Sequence, residues 1–115
     1  MTEGDRLLEQ SRYLFQTESL LHQRYQMVVL TDTDFIKDCK ESKYKELDEV
    51  ERLVKSLINT NRVAVKCNDM IIKKTNDHQY PVLYIKRFNR YMERMIIIID
   101  RIMEIYDWYV NNKEE

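Results

Sequence analysis

Glycine and proline are almost absent from this chain, and their scarcity constrains its fold more than any other feature. Gly4 and Pro81 are the sole examples in 115 residues, where average usage would give about eight glycines and about six prolines. Tight hairpins depend on these two residues, because they supply the backbone angles of short turns. The sequence therefore predicts an all-α fold of long helices, organised as a single domain over residues 1–115.

Three long stretches carry apolar residues at the spacing of an α-helix. Their apolar positions are mostly three, four or seven residues apart, which places them on one face of a helix. We therefore predict helices at about residues 5–30, 43–74 and 81–111, and the pattern also allows a short helix at 34–42. Similar lengths joined by short loops are typical of an antiparallel bundle of three long helices, with a four-helix bundle as the alternative.

Polar segments mark the ends of these helices. Residues 31–34 are all good N-caps, because short polar side chains accept hydrogen bonds from the free N–H groups at a helix start. Residues 75–81 gather polar turn formers before Pro81, which fits the first turn of a helix. Residues 59–61 are poor helix formers, so the second helix could bend or break there, and a break would produce the four-helix bundle.

Two asparagines interrupt the apolar face of the second helix. Asn61 and Asn68 lie seven residues apart on the extension of that face. A buried pair of this kind can fix the register or the partner of a helix. A face that drifts around the helix would instead leave both side chains half-exposed, and we favour this second arrangement.

The third helix is more apolar than a single packing seam requires. Residues 95–99 are apolar around a full turn, which directs Ile97 away from the main seam. Either this helix is central and packs against both others, or its surplus apolar surface meets a second chain. The main seam alternates steps of three and four residues, as in coiled coils, and comprises Ile85, Phe88, Met92, Met95, Ile99, Ile102, Tyr106 and Tyr109.

The second interpretation locates the expected binding surface on the third helix. Burial of apolar area would drive binding there, while charged side chains would select the partner. We predict a small non-enzymatic interaction protein, acting as an adaptor, a chaperone-like binder or an inhibitor. Its expected partner is another protein, a second copy of the chain, or both. The predicted partner-binding residues are Tyr84, Arg87, Arg90, Tyr91, Arg94, Ile97, Ile98 and Ile105.

Charge is distributed unevenly along a chain whose formal net charge is −1. Residues 60–101 hold nine basic and four acidic residues, and the basic block within them covers residues 62–94, with Tyr84 and Tyr91 nearby. Basic and aromatic side chains on one surface can bind a nucleic-acid strand, which gives the alternative function. The same block could instead pair with acidic segments of the first two helices or with an acidic protein partner.

Residue patterns that support catalysis or metal binding are weak in this sequence. Glu18 and His22 lie four residues apart on the first helix, and we interpret them as a surface pair because the other helices offer no matching ligands. The paired carboxylates at residues 46–51 lack the second acidic pair that a bound Mg²⁺ would need. Cys39 and Cys67 form no motif. We therefore expect no enzymatic activity, metal, cofactor or small-molecule substrate.

The sequence also bears on the cellular location of the protein. Its longest apolar run has five residues, at 95–99, against the ~20 needed to cross a bilayer. The charged N-terminal stretch, residues 1–10, lacks the apolar core of a signal peptide. Two cysteines without a pairing pattern favour a reducing compartment. We expect no membrane association and a cytoplasmic location.

Overall fold

A computed structural model describes residues 2–79 and 81–113 of the chain. This part is all-α, which confirms the predicted fold class. The first helix continues into a π-helical turn at Tyr25–Val29, and a 3-10 turn at Lys45–Leu47 precedes the second long helix. The helices are α1 (Glu3–Arg24), α2 (Thr33–Lys40), α3 (Val50–Asn76) and α4 (Val82–Asn112).

Helix α4 is the centre of the bundle, and α1 runs parallel to it. The Lys86 ammonium group contacts the Glu3 carboxylate at 2.8 Å, near the start of both helices. At the other end, the Tyr106 hydroxyl donates a hydrogen bond of 2.9 Å to Asp32, which lies just beyond the π-helical turn. Residue numbers therefore rise in the same direction along both helices.

Helix α3 runs antiparallel to α4 on its other flank. The Arg101 guanidinium donates to Glu49, just before α3, at 2.8 Å, and the Cys67 thiol donates to the carbonyl oxygen of Tyr84 at 3.0 Å. Both α1 and α3 pack closely on α4, whereas contacts between α1 and α3 are sparse. The three long helices thus alternate in direction along the chain, as predicted for an antiparallel bundle, and their cross-section opens into a V.

The second long helix begins at Val50, later than the apolar pattern predicts. Tyr44 has an extended backbone, with φ −123° and ψ 139°. Its ring packs edge-on against Trp108 and Tyr109, with ring centroids 5.8 and 6.2 Å away. Because these aromatic contacts are made from an extended segment, tertiary packing overrides the helical pattern of residues 43–49.

The predicted weak point in the second long helix does not interrupt it. Helix α3 is continuous from Val50 to Asn76, and Thr60, in the middle of residues 59–61, is buried. Packing against α4 therefore holds these poor helix formers in helical conformation. The fourth helix of the fold is α2, which corresponds to the short helix allowed at 34–42 and does not arise from a break in α3.

The seam predicted on α4 forms the core of the bundle. Met95 and Ile99 are fully buried, and the other seam residues are buried as well except Tyr106, which is half-buried. Ile98 and Ile105 are also buried, at 6% and 4% exposed. The wide apolar face of α4 therefore reflects its central position, because a helix flanked on two sides must be apolar on both.

Short helix α2 covers one end of the V and leaves a smaller cavity of about 220 Å³ between itself, the π-helical turn, α3 and α4. Its N-cap residue Asp32 accepts a hydrogen bond of 3.1 Å from the Phe35 backbone N–H. The Tyr109 hydroxyl donates to Asp38 at 2.7 Å, and burial together with Asp38 raises the pKa of Tyr109. The Phe35 ring meets Tyr106 and Tyr109 edge-on, with centroids 5.0 and 5.1 Å away. These contacts fix α2 against the C-terminal part of α4.

Candidate protein-binding surfaces

The binding residues predicted on α4 divide between the core and the surface. Ile98 and Ile105 lie inside the bundle, so neither side chain is available to a partner. Tyr84 and Tyr91 are half-buried and pack against the core. The predicted surface is corrected accordingly: the two isoleucines are core residues, because a central helix buries both flanks of its seam.

The remaining predicted residues define a surface that we call the α4 outer face: Arg87, Arg90, Arg94 and Ile97. All four side chains are exposed, and Ile97, at 68%, points away from the core as expected. The Arg87 guanidinium lies 6.0 Å from the centroid of the Tyr84 ring. In the described part of the chain, Arg90 and Arg94 form no ion pair.

Few basic side chains of the 62–94 block form ion pairs within the chain. Lys86 contacts Glu3 at 2.8 Å, and this hydrogen bond lowers the pKa of the Glu3 carboxyl. Among the described residues of the 62–94 block, no other basic side chain takes part in an ion pair. Most of this positive charge therefore remains available to a partner.

The second surface is a groove between α1 and α3 that the apolar periodicity does not predict. Because α1 and α3 diverge, α4 forms the floor of an open channel between them, and α2 covers one end of it. The uncovered end, which we call the α1/α3 groove, encloses about 430 Å³. Its lining consists of Ser11, Arg12, Phe15 and Glu18 from α1, Asn61, Ala64, Val65 and Asn68 from α3, and Phe88 and Met92 from α4.

Both walls of the α1/α3 groove carry exposed apolar side chains. On α1, Phe15 is 55% exposed, and Leu8, seven residues earlier, is 44% exposed. On α3, Ile58, Val65 and Ile72 follow at intervals of seven residues and are 54%, 52% and 52% exposed. Seven residues are close to two helical turns, so each row lies along one side of its helix. Of these five residues, Phe15 and Val65 line the groove itself, above Phe88 and Met92.

Asn61 and Asn68 also lie in the α3 wall, and both are exposed. They are not a buried pair, in agreement with the arrangement favoured from the sequence. In the sequence, Asn61 lies between Ile58 and Val65, and Asn68 lies between Val65 and Ile72. This interruption explains why periodicity alone did not reveal the groove.

A buried carboxylate lies at the base of the α1 wall. Glu18 is 6% exposed and contacts Nδ1 of the half-buried His22 at 2.7 Å. The predicted surface position of this pair is therefore wrong for Glu18, which follows the buried Leu14 by one turn on the face that packs against α4. The described residues contain no group of three side chains suited to hold a metal ion.

A buried amide joins α1 to α4 beside the groove. Asn89 is 4% exposed. The Ser11 hydroxyl donates to its Oδ1, and its Nδ2 donates to the Leu7 carbonyl oxygen at 3.3 Å. A buried polar group satisfied in this way fixes the register of two helices. The sequence signal for this residue is slight: Asn89 is a single asparagine between Phe88 and Met92 of the apolar seam.

The carboxylates of residues 46–51 contact cations of the same chain. Glu49 binds Arg101, whose guanidinium also reaches Glu104 at 3.0 Å. Glu51 contacts Lys55, one turn later on α3, at 3.3 Å. These are ion pairs of solvent-exposed helix surfaces, formed with the next turn of the same helix or with the adjacent helix.

The two cysteines are poor nucleophiles in this environment. Burial, with a smaller contribution from Asp38, raises the pKa of the Cys39 thiol to about 11. Burial is also the main cause that raises the pKa of Cys67. Since the thiolate is the reactive form, both residues are held in the unreactive thiol form at neutral pH.

Comparisons of the chain with protein-family models, curated proteins and solved structures found no match. None of the helices in the described residues is both long and apolar enough to cross a membrane. The geometry and charge of two surfaces, the α4 outer face and the α1/α3 groove, are therefore the features of this molecule that bear on its function.

Proposed function

We propose that this protein is a non-enzymatic interaction module that holds a helix of another protein in the α1/α3 groove. The observation that carries the proposal is the apolar lining of this groove, in which Phe15 and Val65 are 55% and 52% exposed above the side chains of Phe88 and Met92. Ordered apolar surface of this kind marks protein-binding sites. A groove between helices is also a common receptor for an amphipathic helix.

The exposed area sets the expected strength of binding. Phe15 and Val65 are each about half exposed, and full burial of a large apolar side chain contributes about 1.5–3 kcal/mol. Completing the burial of both adds roughly 2 kcal/mol on this side of the interface. The apolar face of the partner adds its own burial, and the loss of translational and side-chain freedom must be subtracted from the sum. The proposal therefore favours a weak, reversible complex over a permanent one.

A photo-crosslinking amino acid at Val65 tests this function in cells that express the protein. We expect a covalent adduct with another protein from Val65, because that side chain stands in the groove wall. Matched control sites are Ile97 on the α4 outer face and Gln16 on α1, both exposed, and neither should give the adduct. An adduct from Ile97 with none from Val65 contradicts use of the groove, and adducts from neither contradict the interaction module.

A second candidate function, nucleic-acid binding, rests on the α4 outer face. Its support is the exposed group of Arg87, Arg90 and Arg94, of which the last two form no ion pair in the part of the chain described. On single-stranded RNA, log affinity should fall against log salt by about 0.7 per phosphate contact. Replacing all three arginines with glutamine should reduce that slope by about 2. Retention that responds to neither salt nor substitution argues against this function.

A further inference from the structure

The cavity beside α2 combines an apolar inner wall with an opening to solvent. We call it the α2 cavity, and its volume is about 220 Å³. At its rim, Lys40 of α2 and Glu51 of α3 are exposed, so the cavity opens between these two helices. Its inner wall consists of residues that are 5% exposed or less, namely Tyr25, Val29, Phe35, Val50 and Ile102.

We propose that the α2 cavity binds a small, uncharged aromatic molecule that accepts a hydrogen bond from the Tyr25 hydroxyl. This site is separate from the α1/α3 groove, because the two sets of lining residues have no member in common. An apolar cavity of about 150 Å³ binds benzene, so the larger α2 cavity has room for a benzene ring with a short substituent. The rings of Tyr25 and Phe35 in its wall favour an aromatic ligand, since aromatic pairs attract each other beyond their burial.

The Tyr25 hydroxyl supplies the polar contact of the site. Tyr25 is 4% exposed, yet among the described residues its hydroxyl takes part in no hydrogen bond. Fully enclosed side-chain nitrogens and oxygens of the described residues all have partners, so this unpaired hydroxyl is accessible to a ligand. Burial raises its pKa, and it therefore keeps its proton and remains a donor at neutral pH.

A bound water molecule is a poorer occupant of the same space. Buried waters form about two to four hydrogen bonds with polar groups. The five side chains of the inner wall offer only the Tyr25 hydroxyl for this purpose. A ligand with one acceptor atom and an apolar body satisfies the hydroxyl and the apolar wall together, which is the usual composition of small-molecule sites.

The charges at the rim favour a neutral ligand. Glu51 contacts Lys55 at 3.3 Å, and Lys40 forms no ion pair within the described residues. Because Lys40 shares the rim with the Glu51 carboxylate, its attraction for an anion is offset. None of the five inner-wall residues is charged, so an ion entering the cavity would lose its hydration without compensation.

The π-helical turn contributes two residues of the inner wall. Tyr25 and Val29 are its first and last residues, and the Leu30 backbone N–H donates to the Tyr25 carbonyl oxygen, five residues earlier, at 3.1 Å. Such turns are rare and occur frequently at functional sites. Their presence in the wall of this cavity is therefore consistent with a binding site.

Three probes of nearly the same shape test the proposal on the full chain. Acetophenone is a neutral ring with a carbonyl acceptor, α-methylstyrene has a methylene group in place of the carbonyl oxygen, and benzoate is charged. NMR titrations give the Kd of each from the amide chemical shifts. We expect both neutral probes to bind, and benzoate to bind at least about tenfold more weakly than acetophenone.

Two substitutions define the site. Tyr25→Phe removes the donor and should weaken acetophenone by about fivefold while leaving α-methylstyrene unchanged. Val54 lines the cavity from α3, so Val54→Phe should fill it and abolish binding of both neutral probes. The matched control, Val65→Phe, makes the same change on the same helix in the α1/α3 groove and should leave both Kd values unchanged. Circular dichroism of every variant checks that the helices persist.

The unaltered chain provides an independent measurement of where the probe binds. We expect intermolecular nuclear Overhauser effects between the ring protons of acetophenone and the methyl groups of Val29 and Val50. The Val65 methyl groups, in the α1/α3 groove, serve as the control and should show none. This measurement locates the probe even if Val54→Phe fails to fold.

Each contrary result has a distinct meaning. Absence of binding by both neutral probes overturns the site, and Overhauser effects to Val65 alone would place the probe in the α1/α3 groove and overturn it as well. Benzoate that binds as tightly as acetophenone contradicts a neutral ligand. Tyr25→Phe that leaves the Kd of acetophenone unchanged contradicts the hydrogen bond.

Discussion

The two ends of the V between α1 and α3 are completed in different ways. At the end near Tyr109, the chain supplies its own cover: Phe35 of α2 packs on two tyrosines, and Asp38 accepts a hydrogen bond of 2.7 Å. At the end near Phe88 and Met92, the same kind of channel stays open in the residues that the structure describes. We call these the closed end and the open end.

This contrast gives the two ends different parts in the stability of one small fold. The closed end gathers buried aromatic rings, whereas the open end carries rows of apolar side chains that are about half exposed. Exposed apolar rows add little to the stability of the chain and increase its tendency to associate, so they are expected where a partner completes the burial. Variants at matched positions in the two ends can break or sharpen this comparison.

The largest expected difference is between two phenylalanines. Phe35, at the closed end, is 2% exposed, and Phe15, in the open groove, is 55% exposed. Phe35→Ala should lower the free energy of unfolding by about 3–5 kcal/mol, because it leaves a cavity. Phe15→Ala should change it by about 1 kcal/mol or less. Urea unfolding followed by circular dichroism measures both, and equal losses would contradict the division into two ends.

Alkaline pH should act on the closed end, where Tyr25, Tyr106 and Tyr109 have raised pKa values, chiefly because of burial. An unfolded tyrosine ionises near pH ~10, whereas the folded chain retains these protons to higher pH. The free energy of unfolding should therefore be undiminished below pH ~10 and fall above it, by at most about 1.4 kcal/mol per pH unit for each tyrosine. Urea unfolding at successive pH values measures this slope.

The control for that prediction is a tyrosine outside the closed end. Tyr109→Phe should make the alkaline slope shallower, because it removes one of the three groups with a raised pKa. Tyr13→Phe should leave the slope unchanged, since Tyr13 is 68% exposed. A free energy of unfolding that rises between pH ~10 and pH ~11 would have the wrong sign for buried tyrosines.

Much of the fold could be predicted from the sequence, because it depends on local rules. Scarce glycine and proline indicated long helices, and the seam of α4 identified its buried face. The N-cap segment at residues 31–34 includes Asp32, the observed cap of α2. The start of α3 could not be predicted in this way, because the extended backbone at Tyr44 depends on contacts with Trp108 and Tyr109, far along the chain.

Less of the candidate site could be predicted. The width of the apolar face on α4 has two explanations, a central helix or a partner surface, and no local rule separates them for Ile98 and Ile105. The exposure of Ile97 did follow from its angular position. The α1/α3 groove depends on how far α1 and α3 diverge around α4, which is a property of side-chain packing across three helices. Asn61 and Asn68 further masked the row that borders it.

A smaller effect is expected from one hydrogen bond at the closed end. Tyr109→Phe removes the hydroxyl that donates to Asp38 at 2.7 Å and should lower the free energy of unfolding at neutral pH by about 1–2 kcal/mol. The same deletion at the exposed Tyr13 serves as the control and should have no measurable effect. If both variants unfold at the same urea concentration as the parent chain, the hydrogen bond does not hold α2 in place.

The smallest change in stability is expected at Val65, in the wall of the proposed binding groove. Val65→Asp should alter the free energy of unfolding by no more than about 0.5 kcal/mol, because valine and aspartate have similar helix propensities and the side chain is 52% exposed. The neighbouring residue Ala64 is 1% exposed, and Ala64→Asp should unfold the chain by burying an unpaired charge. The stability losses of these two adjacent substitutions would thus distinguish an exposed residue of the groove wall from a residue of the core. A stability loss at Val65 comparable with that at Ala64 would mean that the Val65 side chain stabilises the fold. Side chains at the open end and the closed end would then contribute alike to the free energy of unfolding.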